Sequence, residues 1–271
     1  MPKLRKLFRD FGGIVVVVCL LLLVTLLPPD TSLHEVQKNK TLRVCTPSLY
    51  PPLVTGVPEQ PGIDVEILEA LTKKMGVKLM LNPIDEMGRD FNPRNWAISR
   101  GRCEVIAGGV INSKLTRSFL DTGPSYASSG WAIISPSPLG ELKNQKIGVL
   151  SLISGMDRIG LASYLRSREI SVQIFRSSDE LIRAINRQEI NAAVTEVLLA
   201  GFLAKQNNWN AELLPDAINQ IDLVFGLWKG DLTLKREIRA AFDELENQGV
   251  IDEILARYGV DKFQKRSLAK F

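Results

Sequence analysis

Histidine is nearly missing from this chain: among 271 residues there is one, His34. A histidine-based catalytic triad and a Cys/His metal site therefore lack their materials, since each needs such side chains grouped at short range. No cofactor and no metal ion is expected. A surplus of one charge is missing as well, for 34 basic side chains face 30 acidic ones. Residues 1–30 hold four of the basic and two of the acidic groups, which leaves 30 against 28 in the remainder. That balance does not make a nucleic-acid surface, and no nucleic-acid partner is expected. With 45% hydrophobic residues, the composition is not that of a disordered chain either. The length suffices for two compact lobes, each with its own core.

One long apolar run is present. Lys3, Arg5, Lys6 and Arg9 precede a stretch from Ile14 to Leu27 that only Thr25 interrupts. This is an export signal. The run is shorter than the ~20 residues of a spanning helix, which favours a signal peptide. Phe11-Gly12-Gly13 can lengthen it, however, and Pro28-Pro29-Asp30 offers no A-x-A-like cleavage site, so an uncleaved anchor in the inner membrane stands as an equal alternative. By the positive-inside rule, both readings deliver residues 31–271 to the periplasm. Cys19 lies inside the run and reads as apolar filler. Cys45 and Cys103 reach a compartment that permits a disulfide. No bridge between them is expected, because they are read at different heights on parallel strands.

After a polar spacer over residues 31–41, residues 42–47 read as a buried strand and 48–52 as a turn. In IDVEILEALTKKMGV, the residues Val65, Ile67, Leu68, Leu71 and Met75 fall at helical spacing, and Gly76 suits the stop. Residues 78–81 read as a strand, 92–100 as a helix and 103–109 as a third strand. That order predicts an α/β lobe with a mostly parallel sheet. It returns as strand 146–150, helix 155–166, strand 171–175, a helix 178–187 with Ser178 as N-cap, and strand 192–196. Residues 131–134 read as an extended crossing between the lobes and 223–228 as the return, which makes a hinge. Two amphipathic helices, 232–246 and 250–258, should then pack back on the first lobe. The expected organisation is a signal or anchor at 1–30, a first lobe from 38–132 with 223–271, and a second lobe at 133–222. Ligands of open α/β sheets sit beyond the carboxyl ends of the strands, so two facing sheets define a cleft.

Eight short motifs follow in order: LRVCTPSLYPP, GIDVEILEALTKKMGV, CEVIAGGVINSKLTR, GPSYASSGWAII, KIGVLSLISG, EINAAVTE, FGLWKGD and VIDEILARYGV. Their complete order, over roughly residues 40–262, resembles the extracellular solute-binding proteins of polar amino-acid ABC transporters, two-lobed periplasmic binding proteins of the second structural type. The resemblance implies a monomer that closes on a small polar, carboxylate-bearing solute, an amino acid or organic acid. It also implies a partner, an ABC transporter permease in the inner membrane.

In that family an arginine after the third strand pairs with the ligand carboxylate. The matching residue is Arg117, displaced by about one position, with Lys114 as a nearby substitute. A planar guanidinium matches a carboxylate bidentately, as an ammonium does not. Gly109, Val110 and Ile111 would form the loop leading to it. From the second lobe, the family places a hydroxyl near a helix start, here Ser154 with Ser151 before it, and an acid at a strand end, here Glu196, against the ligand ammonium. Tyr50 matches an aromatic that flanks the ligand, and reads equally as core. Plainer readings are a solvated cation for Arg117, an ordinary N-cap for Ser154 and a surface acid for Glu196.

Two departures stand out. Ile111 occupies a place where the family often has a hydroxyl, and Ser151-Leu152-Ile153-Ser154 stands where Ser-Gly-Thr-Thr is common. Hydrogen bonds to charged groups contribute ~1.5–3 kcal/mol each, so fewer donors put a standard α-amino acid in doubt. Two other functions remain open: a membrane-tethered sensor or accessory protein, and an enzyme resembling the cyclohexadienyl dehydratases that share the fold, with Glu196 as general acid.

Overall fold

The computed structural model describes residues 13–22, 29–87, 93–138, 145–150, 156–214 and 220–261. Contacts separate residues 1–31 from 32–271 as two units. In the first, residues 13–22 form helix α1. Among the described residues no helix is long and apolar enough to cross a membrane.

The second unit opens with α2 (Ser32–Asn39), where a polar spacer was expected. Its single buried residue is Val36, and Ser32 ties it to a later helix, so tertiary packing holds a segment whose own apolar content is small. Five strands then make the first sheet: β1 (Thr41–Thr46), β2 (Lys78–Pro83), β3 (Val105–Ile106), β4 (Asp121–Ser129) and a late strand, β10 (Ile221–Leu227). Their order is β2-β1-β3-β10-β4, with β1 parallel to β2 and β3, and β10 antiparallel to β3 and β4.

Helix α3 (Ile63–Met75) buries Ile63, Ile67, Leu68 and Leu71 against this sheet. It stops at Gly76, whose φ of 68° admits the left-handed turn in which its N–H reaches the Lys73 carbonyl. Two expectations fail nearby. Residues 92–100 are not a helix: the described part holds only a short 3-10 turn, Pro93–Asn95, after which Ala97 takes a positive φ of 52°. The third strand is two residues long, because the chain turns through residues 99–103 before it, with Arg102 N and Cys103 N both bonded to the Ser99 carbonyl.

That turn overturns the reading of the cysteines. Cys45 faces Ile106 in the parallel register, so a straight strand would carry Cys103 three residues, or about 10 Å, away. Because pairing starts only at Val105, Cys103 folds back to a Cα–Cα distance of 5.6 Å from Cys45, and the two form a disulfide.

The second sheet contains β5 (Trp131–Ser135), β6 (Lys146–Val149), β7 (Ser171–Ile174), β8 (Ala192–Glu196) and β9 (Asn210–Leu213), in the order β7-β6-β8-β5-β9. Here β6 is parallel to β7 and β8, while β5 is antiparallel to β8 and β9. Each sheet thus sets its first parallel strand between the next two. Residues 131–134, read as a crossing, are a strand of this sheet, and only Gly130 separates β4 from β5.

All five residues of β8 are buried, as a central strand covered on both faces requires. Helices α5 (Arg158–Ser167), α6 (Ser178–Asn186) and α7 (Val197–Asn207) pack on this sheet. The N-cap of α6 is Ser177 rather than Ser178: Ser177 has extended backbone and its hydroxyl accepts from Glu180 N. The chain closes with α8 (Leu232–Asn247) and α9 (Val250–Arg257), which pack on α3.

Helix α7 joins the two halves. Gly201 lies so close to Gly259 that a Cβ would come within 2.6 Å of its carbonyl oxygen. Phe202 stacks near Tyr258, at 6.2 Å between ring centroids, and Lys205 Nζ donates to the last carbonyls of α9, Ala256 and Arg257, at 2.8 Å each.

Candidate ligand-binding site

On the first-sheet side, the chain leaves β1 and folds into a tight loop in which Tyr50 and Val54 exchange backbone hydrogen bonds of 2.7 and 3.0 Å. Beside it, Gly108 and Gly109 follow β3 with φ of 92° and 86°. No side chain fits at either: a Cβ on Gly108 would lie 2.1 Å from Pro47 Cδ, and one on Gly109 would lie 3.0 Å from Tyr50 Cε1. Their N–H groups turn instead to Asp64 Oδ2, at 2.6 and 3.4 Å.

Asp64 is fully buried at the start of α3. Burial pushes its pKa up to about 6 against the hydrogen bonds that favour the carboxylate, those of Tyr126 and the two glycine amides. The Tyr126 hydroxyl lies beside this carboxyl, yet Asp64 Oδ1 and Tyr126 Oη are both buried without a well-formed hydrogen bond.

The loop after Gly109 pairs with the strand that returns to this sheet. Val110 is buried and its carbonyl accepts from Val224 N at 2.9 Å, Ile111 bridges Leu223, and Asn112 N donates to the Asp222 carbonyl at 2.9 Å. Helix α4 (Lys114–Phe119) follows, capped by Ser113, whose Oγ accepts from Thr116 N at 3.0 Å. Thr116 is buried and Arg117 exposed. The Arg117 guanidinium donates to the side-chain oxygen of Asn112 and to its carbonyl, the latter at 3.2 Å.

On the second-sheet side, Glu196 ends β8 and caps α7. Its Oε1 accepts from Leu199 N at 2.6 Å, and Oε2 accepts from Leu198 N and from Ser129 Oγ, each at 2.8 Å. The carboxyl is buried rather than on the surface, and burial raises its pKa to about 6 against the pull of those three donors.

The two sides meet. Tyr50 and Ile111, which belong to loops of the first sheet, each pack on the core around Met156, Trp131 and Val149 on the second-sheet side. The Tyr50 phenol is pushed well above its ordinary range by burial, then by the fields of Glu196 and Asp64, with Arg158 acting the other way. Tyr50, Gly109, Ile111 and Glu196, all named from sequence, thus converge, with Val110 directly behind. Arg117 makes its contacts within its own loop. Ser151 and Ser154 lie outside the described residues. Sequence reasoning missed Ser129 and Asp64. The sequence does not single out Asp64, for Glu66 in the same helix also stands between two buried apolar residues and is only half-buried.

Two open sheets of this topology, with an acid and aromatic groups gathered where they meet, define a two-lobed solute-binding protein. The profile of the bacterial extracellular solute-binding proteins, family 3, matches residues 42–261, and the chain belongs to that family. It is 22% identical over 209 residues to the arginine-binding extracellular protein ArtP of Bacillus subtilis (strain 168), covering 73% of this chain and 77% of that one. Among solved structures it is similar to an ancestral cationic amino acid solute-binding protein, with a TM-score of 0.69 at 19% identity, over 84% of this chain and 99% of the other. A polar amino acid ABC uptake transporter substrate-binding protein from Streptococcus thermophilus gives a TM-score of 0.68 at 15% identity, over 89% and 97%. At such identities the structures speak for the fold.

Proposed function

We propose that this protein binds a small ammonium-bearing solute, an amino acid or a close relative of one, between its two sheets and hands it to an ABC transporter permease. The lobes would be residues 38–132 with 223–271, and 133–222. The observation that carries this reading is Glu196: a buried carboxyl at a strand end, whose field reaches Tyr50 of the opposite half, where a ligand touching both halves would favour the closed form. The relatives named for amino-acid binding support it. Binding without chemistry is the mode this reading takes, since Glu196 is held by three donors and Asp64 by the glycine loop.

A thermal-shift screen of amino acids, amines and organic acids tests this reading. A true ligand raises the unfolding midpoint in proportion to the logarithm of its concentration. If no small solute does so, the reading fails, and if a cyclohexadienyl acid is turned over, the enzymatic alternative replaces it.

A tethered form is the second reading, favoured by the position of Ser32. Its hydroxyl is bonded to Thr233 Oγ1 at 3.1 Å and accepts from Leu234 N at 3.3 Å, so only four residues, 28–31, lie between the end of the apolar run at Leu27 and the first residue tied to the folded unit. A peptidase would have to cut within those four residues. Mass spectrometry of the mature N-terminus distinguishes retention from release.

A further inference from the structure

We propose that the solute is recognised through its positive charge alone, so that amines without a carboxylate are ligands of this site. This rests on the reading above that the site lies between the two sheets.

The first ground is the sign of the buried charge. Among the described residues every charged side chain that is buried is an acid: Asp64, Glu196 and Asp231. Asp231 is paired with Arg100. The other two have no cation paired with them among the described residues: Asp64 takes two glycine amides beside the Tyr126 hydroxyl, and Glu196 takes two helix amides and the Ser129 hydroxyl. An ionised carboxylate has room for about four donors, so Glu196, with three, retains capacity for one more. Asp64 is likewise buried, with the Tyr126 hydroxyl beside its carboxyl and no cation on it among the described residues. Buried acids left without a counter-ion are costly, and an entering ammonium or guanidinium offsets that cost.

The second ground is where the candidate anion binder stands. A ligand carboxylate held in the family manner needs a guanidinium facing the site. Arg117 is exposed with its Nη1 donating to Asn112, and the buried residue at this point of α4 is Thr116, whose hydroxyl is 3.0 Å from Ser113 Oγ. Ile111 replaces a further donor with an apolar surface. Arg158, at the exposed start of α5, is the cation that acts on Tyr50, and it is the alternative holder of a carboxylate.

The experiment is calorimetric titration of the full chain at pH 7.5 with matched pairs: L-arginine and agmatine, L-lysine and cadaverine. At least one amine is expected to bind with a Kd within threefold of its amino acid, or tighter. Glu196→Gln should weaken that binding tenfold or more, and Arg117→Ala should change it less than twofold. The wild type supplies a readout free of folding effects, for amine affinity should drop severalfold from pH 7.5 to pH 5 as the buried carboxyls take up protons. An amino acid that binds tenfold more tightly than its amine overturns the proposal and leaves the solute-binding function standing; a tenfold loss of that amino acid in Arg158→Ala would then name the carboxylate holder. Binding confined to neutral or anionic solutes overturns it equally. No binding by any small solute refutes the function on which it rests.

Discussion

Ser129 and Glu196 are bonded across the junction of the two sheets: the hydroxyl of the last residue of β4 donates to the carboxyl of the last residue of β8, at 2.8 Å. One residue, Gly130, separates Ser129 from the second sheet, and its carbonyl accepts from Val197 N at 2.9 Å. The candidate ligand acid is therefore held by the segment that links the halves. A hydrogen bond to a charged group contributes about 1.5–3 kcal/mol, so Ser129→Ala should lower unfolding free energy by about that amount at pH 7.5. The loss should shrink at pH 4.5, where the carboxyl is protonated. Urea unfolding at the two pH values measures both, and an equal loss at each would show that the bond does not depend on the charge.

The pKa of Glu196, raised to about 6 from the ordinary 4.5, sets the sign of a pH effect. The folded chain holds this proton more tightly than the unfolded one, so between about pH 4.5 and pH 6 the native state binds more protons and stability falls as pH rises. Above that window the penalty is complete, at about 2 kcal/mol. Asp64, also near 6, adds a penalty of the same sign. Glu196→Gln, which keeps an oxygen to cap α7, should gain about 1–2 kcal/mol relative to wild type between pH 4.5 and pH 7.5. A flat difference across that range would mean that Glu196 is not shifted upward.

The Cys45–Cys103 bridge closes a sequence separation of 58 residues and ties β1 to the approach of β3, the two strands that lead into the Tyr50 loop and the Gly108–Gly109 loop. On the chain-entropy account such a closure stabilises by about 4 kcal/mol. The double substitution Cys45→Ser, Cys103→Ser should lower the denaturation midpoint accordingly and widen the spread of Tyr50 environments seen by NMR. A midpoint equal to that of the oxidised wild type would leave the bridge without a stabilising role.

Gly201→Val tests the contact between α7 and the end of α9. A side chain here meets Gly259 O at 2.6 Å and Val260 Cγ1 at 2.9 Å, both within a packed interior. Overpacking of this kind costs about 1–3 kcal/mol. Thermal unfolding reads the loss, and an unchanged midpoint would show that α7 can shift away from α9 without cost.

Local chemistry made much of this legible beforehand. The apolar spacing of α3, its stop at Gly76 and the buried run of β8 each follow from neighbours in sequence, because helix and strand periodicities are local properties. Glu196 and Tyr50 were named from the resemblance to the solute-binding family, for their local surroundings read equally well as a surface acid and a core aromatic. Other features were decided only when distant segments met. The polar segment 32–39 became a helix because α8 covers it. Residues 96–100 did not, because the chain there bends toward Cys103 and Arg100 reaches Asp231. The disulfide formed because pairing with β1 starts at Val105, a register that no local pattern contains. Burial of Glu196, the turning of Arg117 to Asn112 and the meeting of Asp64 with Tyr126 belong to the same kind. Composition and the order of helices and strands are written along the chain; the sign of the buried charge depends on which side chains are removed from water together, and only the tertiary structure determines that.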